Sequence, residues 1–167
     1  MAKWAKVEFK ELEELEKRIK KAQAQELDQF LDQCAKELAA RLLAAVIKRT
    51  PVGKYPRGSG KVGGTLRRGW TGGAQMDAAA YANGLSVTRA GRTLIVTITN
   101  PTEYFSYVEY GHRQTPGRFV PAIGKRLKAS WVKGRFMLTI SEDEVQRMAP
   151  KLLERKVKQF LEAVLNG

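Results

Sequence analysis

With 167 residues, 43% of them hydrophobic, the chain has the size of one compact domain and is short for two. It has neither the roughly 18 uninterrupted apolar residues of a membrane helix nor a signal peptide at its start, so we expect synthesis in the cytoplasm and no membrane contact. The net charge of +13 comes entirely from residues 48–135, where sixteen Lys and Arg face three acidic residues, so the middle of the chain is the part that attracts an anionic partner.

The first predicted element is a long amphipathic helix over about residues 8–49, a stretch without proline or glycine. Its apolar residues recur at helical spacing, and the stripe weakens between Lys21 and Glu26, where a bend or break is compatible with the pattern. A continuous helix of this length spans about 60 Å, too long for one domain to cover. We therefore expect its outer half to project and to contact a neighbouring subunit through Phe9, Leu12, Leu15 and Ile19.

A flexible basic loop is predicted over about residues 51–64, after Thr50 and Pro51 end the helix. The loop is dense in glycine. Positive side chains lie in it and directly after it, at Lys54, Arg57, Lys61, Arg67 and Arg68. We expect these five residues to dock on a partner.

Short strands are predicted next, over residues 65–70, 85–89, 93–99 and 104–110, with turns between them. A final helix is indicated by an apolar stripe and by a capping box of Ser141 and Glu144, and Pro150 is expected to kink or divide it. The fold class is therefore α+β: a single domain over residues 1–167 with a long N-terminal helix, a small antiparallel sheet of three to four strands, and a C-terminal helix packed on one face.

The side chains suited to catalysis are few in the basic middle of the chain. It holds the only histidine, His112, and three acids, Asp77, Glu103 and Glu109, a poor inventory for acid and base chemistry. The glycines near Lys61 fail the pattern of a phosphate-binding loop. The single cysteine, Cys34, excludes paired metal frameworks, and we expect no metal and no cofactor. We predict that the protein is not an enzyme; a small basic ribonuclease of the toxin kind stays as an alternative.

Aromatic residues interleaved with the basic ones keep a second alternative open, non-specific binding of nucleic acid. Alternation along predicted strands favours packing or subunit contact for Trp70, Tyr107 and Tyr110 instead. No helix-turn-helix, zinc-finger or RNA-binding signature is present, which disfavours sequence-specific binding.

Three stretches resemble a known family when they are taken in order: TPVG followed by GTLRRGW, then YFSYVEYGHR, then WVKGRFMLTISEDE. They are similar to the small neck or tail-completion proteins of long-tailed bacteriophages, minor tail components that act in head-tail joining. The family pattern falls on Thr50 to Val52, Gly64 to Trp70 and Tyr107 to Gly111, the last read as a strand end. The resemblance implies a structural virion protein at the head-tail junction, without catalysis.

The same resemblance implies a homo-oligomeric ring around the axis that DNA traverses, with head-completion and tail-terminator components as partners and passing contact with DNA. This chain departs from the shorter members by about ten extra residues, KYPRGSGKVG, in the basic loop. The basic segment faces either DNA in the channel or an acidic surface of a neighbouring ring. We favour the acidic neighbour and expect the loop and the segment HRQTPGRF to dock there, the latter through His112, Arg113 and Arg118.

Overall fold

A computed structural model describes residues 10–121 and 124–166 of the chain, with side chains for residues 24–121 and 124–163. It confirms the α+β class, with a long N-terminal helix, small antiparallel sheets and a C-terminal helix. In chain order the elements of this part are α1 (Lys10–Arg49), α2 (Thr65–Gly69), α3 (Ala78–Gly84), β1 (Val87–Ala90), β2 (Thr93–Val96), α4 (Phe105–Tyr110), β3 (Gly111–Arg113), β4 (Phe119–Val120), β5 (Lys125–Arg126), β6 (Trp131–Lys133) and α5 (Met137–Asn166).

Helix α1 is uninterrupted over 40 residues and therefore about 60 Å long. It continues through residues 21–26, where a break was compatible with the sequence, because Ala, Gln, Lys and Glu are all strong helix formers. The described side chains before Phe30 are exposed, and burial begins at Phe30 and deepens toward Leu43 and Val46. Phe9 lies outside the described residues, as do the side chains of Leu12, Leu15 and Ile19.

The C-terminal helix α5 runs antiparallel along α1 for most of its 30 residues. Near its start Glu144 forms an ion pair with Arg49, and further along Lys156 forms one with Glu37, each at 2.5 Å. Near its end the ring of Phe160 stacks on Phe30, with centroids 4.4 Å apart. The helix continues through Pro150 without dividing. Residues 10–25 of α1 extend past this contact by roughly 24 Å at 1.5 Å per residue.

The hydrophobic core lies between the second half of α1, the three short helices and the first turn of α5. Trp70 fills its centre, 1% exposed, and its indole meets the ring of Phe105 edge-on. The buried members of the cluster are Ala39, Leu43, Val46, Leu66, Trp70, Ala82 and Met137.

Two segments predicted as strands are helices. Residues 65–69 form α2, with Leu66 and Gly69 buried three positions apart. In the predicted strand over residues 104–110, Phe105, Val108 and Glu109 turn inward while Tyr104, Tyr107 and Tyr110 are exposed. These spacings of three and four belong to a helix, and a run this short fits both periods in the sequence.

The strands pair in three separate two-stranded antiparallel sheets, in place of one sheet of three to four strands. β1 and β2 form a hairpin beside α1. β3 pairs with β6 and β4 with β5, and bonds from Gln114 N to Ser130 O and from Gly117 N to Leu127 O join the two ladders. Residues 111–121 and 124–133 thus belong to one long hairpin, which we call the hairpin arm.

Candidate functional site

Two of the segments that carry the resemblance, TPVG and GTLRRGW, meet in the core, where Thr50 links them. Its hydroxyl accepts a hydrogen bond from Trp70 Nε1 at 2.8 Å and donates one to the carbonyl of Val46 at 2.7 Å. Its own carbonyl accepts two bonds from the guanidinium of Arg67, at 2.8 and 3.2 Å. Arg67 thereby satisfies a carbonyl at the end of α1, which otherwise lacks a helical partner. These bonds between the TPV and LRRGW segments therefore fix the position of α2 relative to the end of α1.

Gly69, the glycine of RRGW, is required because the loop after β2 packs closely on α2. Asn100 Nδ2 donates to the carbonyl of Leu66 at 2.9 Å, which holds the loop after β2 against α2. A β-carbon at Gly69 would collide with Asn100 Oδ1 and would lie 2.8 Å from Thr102 Oγ1. Only glycine leaves room for this contact.

Glu109, the acid of VEYG, is fully buried and holds the start of α5. Its carboxylate accepts bonds from the backbone amides of Leu138 and Thr139, both at 3.0 Å, and from the Thr139 hydroxyl at 2.9 Å. A carboxylate at a helix N-terminus satisfies free amides and complements the helix dipole. The buried acid is thus an architectural group whose acceptors are occupied.

The predicted capping box of Ser141 and Glu144 is wrong, because α5 begins one turn earlier, at Met137. Ser141 is buried inside the helix and donates to the carbonyl of Met137, and Glu144 pairs with Arg49. The capping role belongs to Glu109, from a distant segment that no local pattern connects to α5.

The glycine of VEYG marks where α4 turns into the hairpin arm. Gly111 has a positive φ of 87°, and a β-carbon there would collide with the carbonyl of Val132. Gly134 opposite is buried and packs on the backbone of Glu109 and Tyr110. Glycine at these two positions lets the base of the arm pack tightly on α4.

The basic loop is closed at its base and exposed above it. Gly63 packs directly on the carbonyl of Gly53, and Arg68 Nη1 donates to the carbonyl of Gly63 at 3.1 Å. Lys54, Arg57 and Lys61 are exposed between these ends. The residues between these two glycines therefore form a protrusion outside the core. Of the predicted docking residues here, Arg67 and Arg68 hold the base by hydrogen bonds, and the three in the loop face solvent.

The hairpin arm is the second basic surface. It contains six basic residues and no acidic one, and none of its described residues is buried. Arg113 lies on β3 and Arg118 just before β4, both exposed. The remaining basic residues of the arm are Lys125, Arg126, Lys128 and Lys133. Sequence reasoning missed these four, because only the pairing of distant segments brings them beside Arg113 and Arg118.

Exposed aromatic side chains surround the base of the arm. Tyr107 and Tyr110 are 58% and 59% exposed on the outer side of α4, and Trp131 is 52% exposed on β6. The half-buried ring of His112 lies 5.5 Å from that of Tyr107, and its Nδ1 is 3.4 Å from the Tyr107 carbonyl. Tyr107 and Tyr110 thus lie on the surface, whereas Trp70 lies in the core.

In the described part of the chain, no group of three or more His, Cys, Asp or Glu is placed to hold a metal ion. Among the described helices, none combines the length and apolar character needed to cross a membrane. The arrangement offers two exposed basic surfaces, the loop and the arm, on a core held by buried polar contacts. Such surfaces suit association with an anionic partner.

Comparison with known proteins finds one family. Its model, described as "Bacteriophage HK97-gp10, putative tail-component", matches residues 13–111. No curated protein and no solved structure is found to match the chain. A tail component has its place in the virion, in contact with other virion proteins. Because the match covers more than half of the chain, this protein belongs to the HK97-gp10-like family of bacteriophage tail components.

Proposed function

We propose that this protein is the subunit of a ring at the head-tail junction and that it joins the connector to the tail. The observation that carries the proposal is the exposed basic charge of the hairpin arm and the basic loop on a tail component. The residues of the family pattern support the core, so these surfaces are free to bind. The projecting part of α1 adds an element that a neighbouring subunit covers.

The partner of the basic surfaces is an acidic protein surface on an adjacent ring. Each subunit carries a net charge of +13, so a ring of them accumulates strong self-repulsion unless counter-charge is supplied. An acidic neighbour supplies it in the virion, and salt screens the same repulsion between subunits in solution. Lysines and arginines turned toward the channel would instead bind phosphates and hold the DNA that has to pass.

Docking is assigned to Arg113 and Arg118 on the arm and to Lys54, Arg57 and Lys61 in the loop. Complementary charge brings the partner in quickly and fixes its orientation. The loop, open to solvent between Gly53 and Gly63, becomes ordered against the partner at a cost of about 1–2 kcal/mol per residue fixed. His112 contributes through the position of its ring beside Tyr107.

The test replaces Arg113 and Arg118 by glutamate in the phage that encodes this protein. We expect full heads and complete tails to accumulate unjoined, because the arm then repels its acidic partner. The matched control replaces Lys151 and Arg155, exposed on α5, by glutamate, which changes the net charge equally. Joined particles at the normal level in the Arg113→Glu/Arg118→Glu phage, with the control also normal, would refute the docking role.

Exposed Phe119 and Trp131 among basic residues also suit stacking on nucleic-acid bases, which defines a second candidate function. The two candidates separate in a binding titration of the purified protein with non-specific duplex DNA at rising salt. Under our proposal, the wild type binds DNA weakly and releases it as salt rises. The Arg113→Glu/Arg118→Glu variant should still fail to join purified heads to purified tails when no free DNA is present. Tight DNA binding by the wild type, with normal joining by the variant, would favour the nucleic-acid function.

A further inference from the structure

An open apolar groove lies between α1, β2 and α5. It has a volume of about 380 Å³, and its lining includes Leu31, Cys34 and Leu38 of α1, Val96 of β2 and Leu153 of α5. Cys34 at its floor is the chain's only cysteine and is buried. Nothing in the described chain fills the groove, and its sides are rigid helices and a hairpin held to α1 by the Arg89 ion pairs with Asp28 and Asp32.

We propose that this groove receives residues 10–20 of α1 from a second copy of the chain. This inference rests on the proposed ring and names the surface through which its subunits bind each other. Leu12, Leu15 and Ile19 follow helical spacing in the part of α1 that extends past α5. A helix that inserts such a stripe into an apolar groove is a common mode of protein recognition.

The segment cannot occupy the groove of its own copy. Leu15 and Cys34 lie on one continuous helix, roughly 28 Å apart along its axis. A return to the groove would require α1 to break in a stretch of strong helix formers. The occupant therefore comes from another molecule.

Charge favours this segment over other parts of the chain. Residues 10–20 contain four basic and four acidic residues, so the segment approaches another basic subunit without net repulsion. The helix of one copy and the groove of the next are different surfaces, which makes the contact head-to-tail. Contacts of this kind close into rings when the rotation between subunits permits it.

The test uses two variants, each lacking one half of the contact. Leu15→Asp/Ile19→Asp removes the stripe, and Ala35→Glu places a charge at a half-exposed groove position. Light scattering should show that the wild type oligomerises and that each variant alone is an 18.7 kDa monomer. An equimolar mixture should form a dimer and nothing larger, because one copy supplies the intact groove and the other the intact helix.

Matched controls keep the charge changes but avoid the contact. Gln25→Asp/Gln29→Asp alters exposed residues of α1, and Ala44→Glu lies on α1 outside the groove. Both should oligomerise like the wild type. If the mixture stays monomeric while the wild type oligomerises, the groove contact is overturned but the proposed ring is not. A wild type that stays monomeric in every condition overturns the ring as well.

Cys34 gives an independent readout of the same contact. In an Ile19→Cys variant, oxidation with copper phenanthroline should link this cysteine to Cys34 of another copy and produce a ladder of covalent oligomers that reductant removes. Within one copy the two positions are roughly 22 Å apart along α1, too far for a disulfide. Lys17→Cys, on the opposite face of the helix, should give no ladder. Equal ladders from both variants would mean chance collision and would contradict seating in the groove.

Discussion

Two of the three tryptophans, Trp70 and Trp131, represent two different parts of this molecule. Trp70 is 1% exposed and donates to Thr50 in the centre of the core, whereas Trp131 is 52% exposed on an arm of six basic residues. The core side holds Thr50, Trp70 and Glu109, the buried residues of the segments that carry the resemblance, and each of them forms buried hydrogen bonds. The exposed side holds the basic charge of the hairpin arm and the basic loop. Substitutions on these two sides should therefore differ in what they change: those on the core side affect stability, and those on the exposed side affect the proposed docking.

The largest effect expected from this difference is on stability. Trp70→Ala should lower the free energy of unfolding by about 3–5 kcal/mol, because it empties the core and leaves the Thr50 hydroxyl without its donor. Trp70→Phe keeps most of the volume and should cost about 1–2 kcal/mol. Trp131→Ala, the matched substitution on the arm, should cost under about 1 kcal/mol. Urea unfolding checks all three, and equal losses at Trp70 and Trp131 would erase the distinction.

A smaller loss is expected at the cap of α5. Glu109→Gln should lower the free energy of unfolding by about 1–3 kcal/mol, because an amide oxygen cannot serve both the Leu138 and Thr139 amides as a carboxylate does. The control is Glu103→Gln, an exposed acid nearby, which should stay within about 0.5 kcal/mol. Thermal unfolding compares the two variants. A Glu109→Gln variant with the melting temperature of the wild type would contradict the capping role.

The smallest effect depends on pH and concerns the pairing of α1 with α5. Hydrogen bonds from Lys156 and then Arg41 lower the pKa of Glu37 below its ordinary value. The charged form is favoured in the folded state, so this stabilisation is complete above the unfolded glutamate pKa of about 4.3. It is lost as the pH falls through the lower folded pKa.

Glu37→Gln should therefore cost about 0.5–1 kcal/mol at neutral pH and progressively less in acid. Urea unfolding of this variant and the wild type over a pH series measures the difference. Glu154→Gln, exposed on α5, serves as the control and should show no such trend. A gap that persists unchanged in acid would assign the loss to packing and not to the ion pairs.

The long elements were predictable, and the short ones were not. Helix α1 and helix α5 repeat an apolar stripe over many turns, so their period is unambiguous in the sequence. α2 and α4 span five and six residues, where a helix and a strand fit equally well, and both were predicted as strands. Their helical form depends on packing Leu66 and Phe105 into the core, a tertiary contact that local pattern does not contain.

The charge of the candidate surfaces was predictable, but their shape was not. Lys54, Arg57 and Lys61 were identified from composition alone, and the structure places them in an exposed loop. The hairpin arm was missed because its strands have two or three residues each and pair across a distant turn. The role of Glu109 was missed for the same reason, since its partners lie 29 and 30 residues further along the chain.

Gold-labelled antibodies against this protein, imaged on intact virions by electron microscopy, test most directly whether it is the subunit that joins head and tail. We predict label at a single position, where the tail meets the head, and loss of that label from free tails made without the protein. Label at the tail tip or along the shaft would contradict placement at the junction.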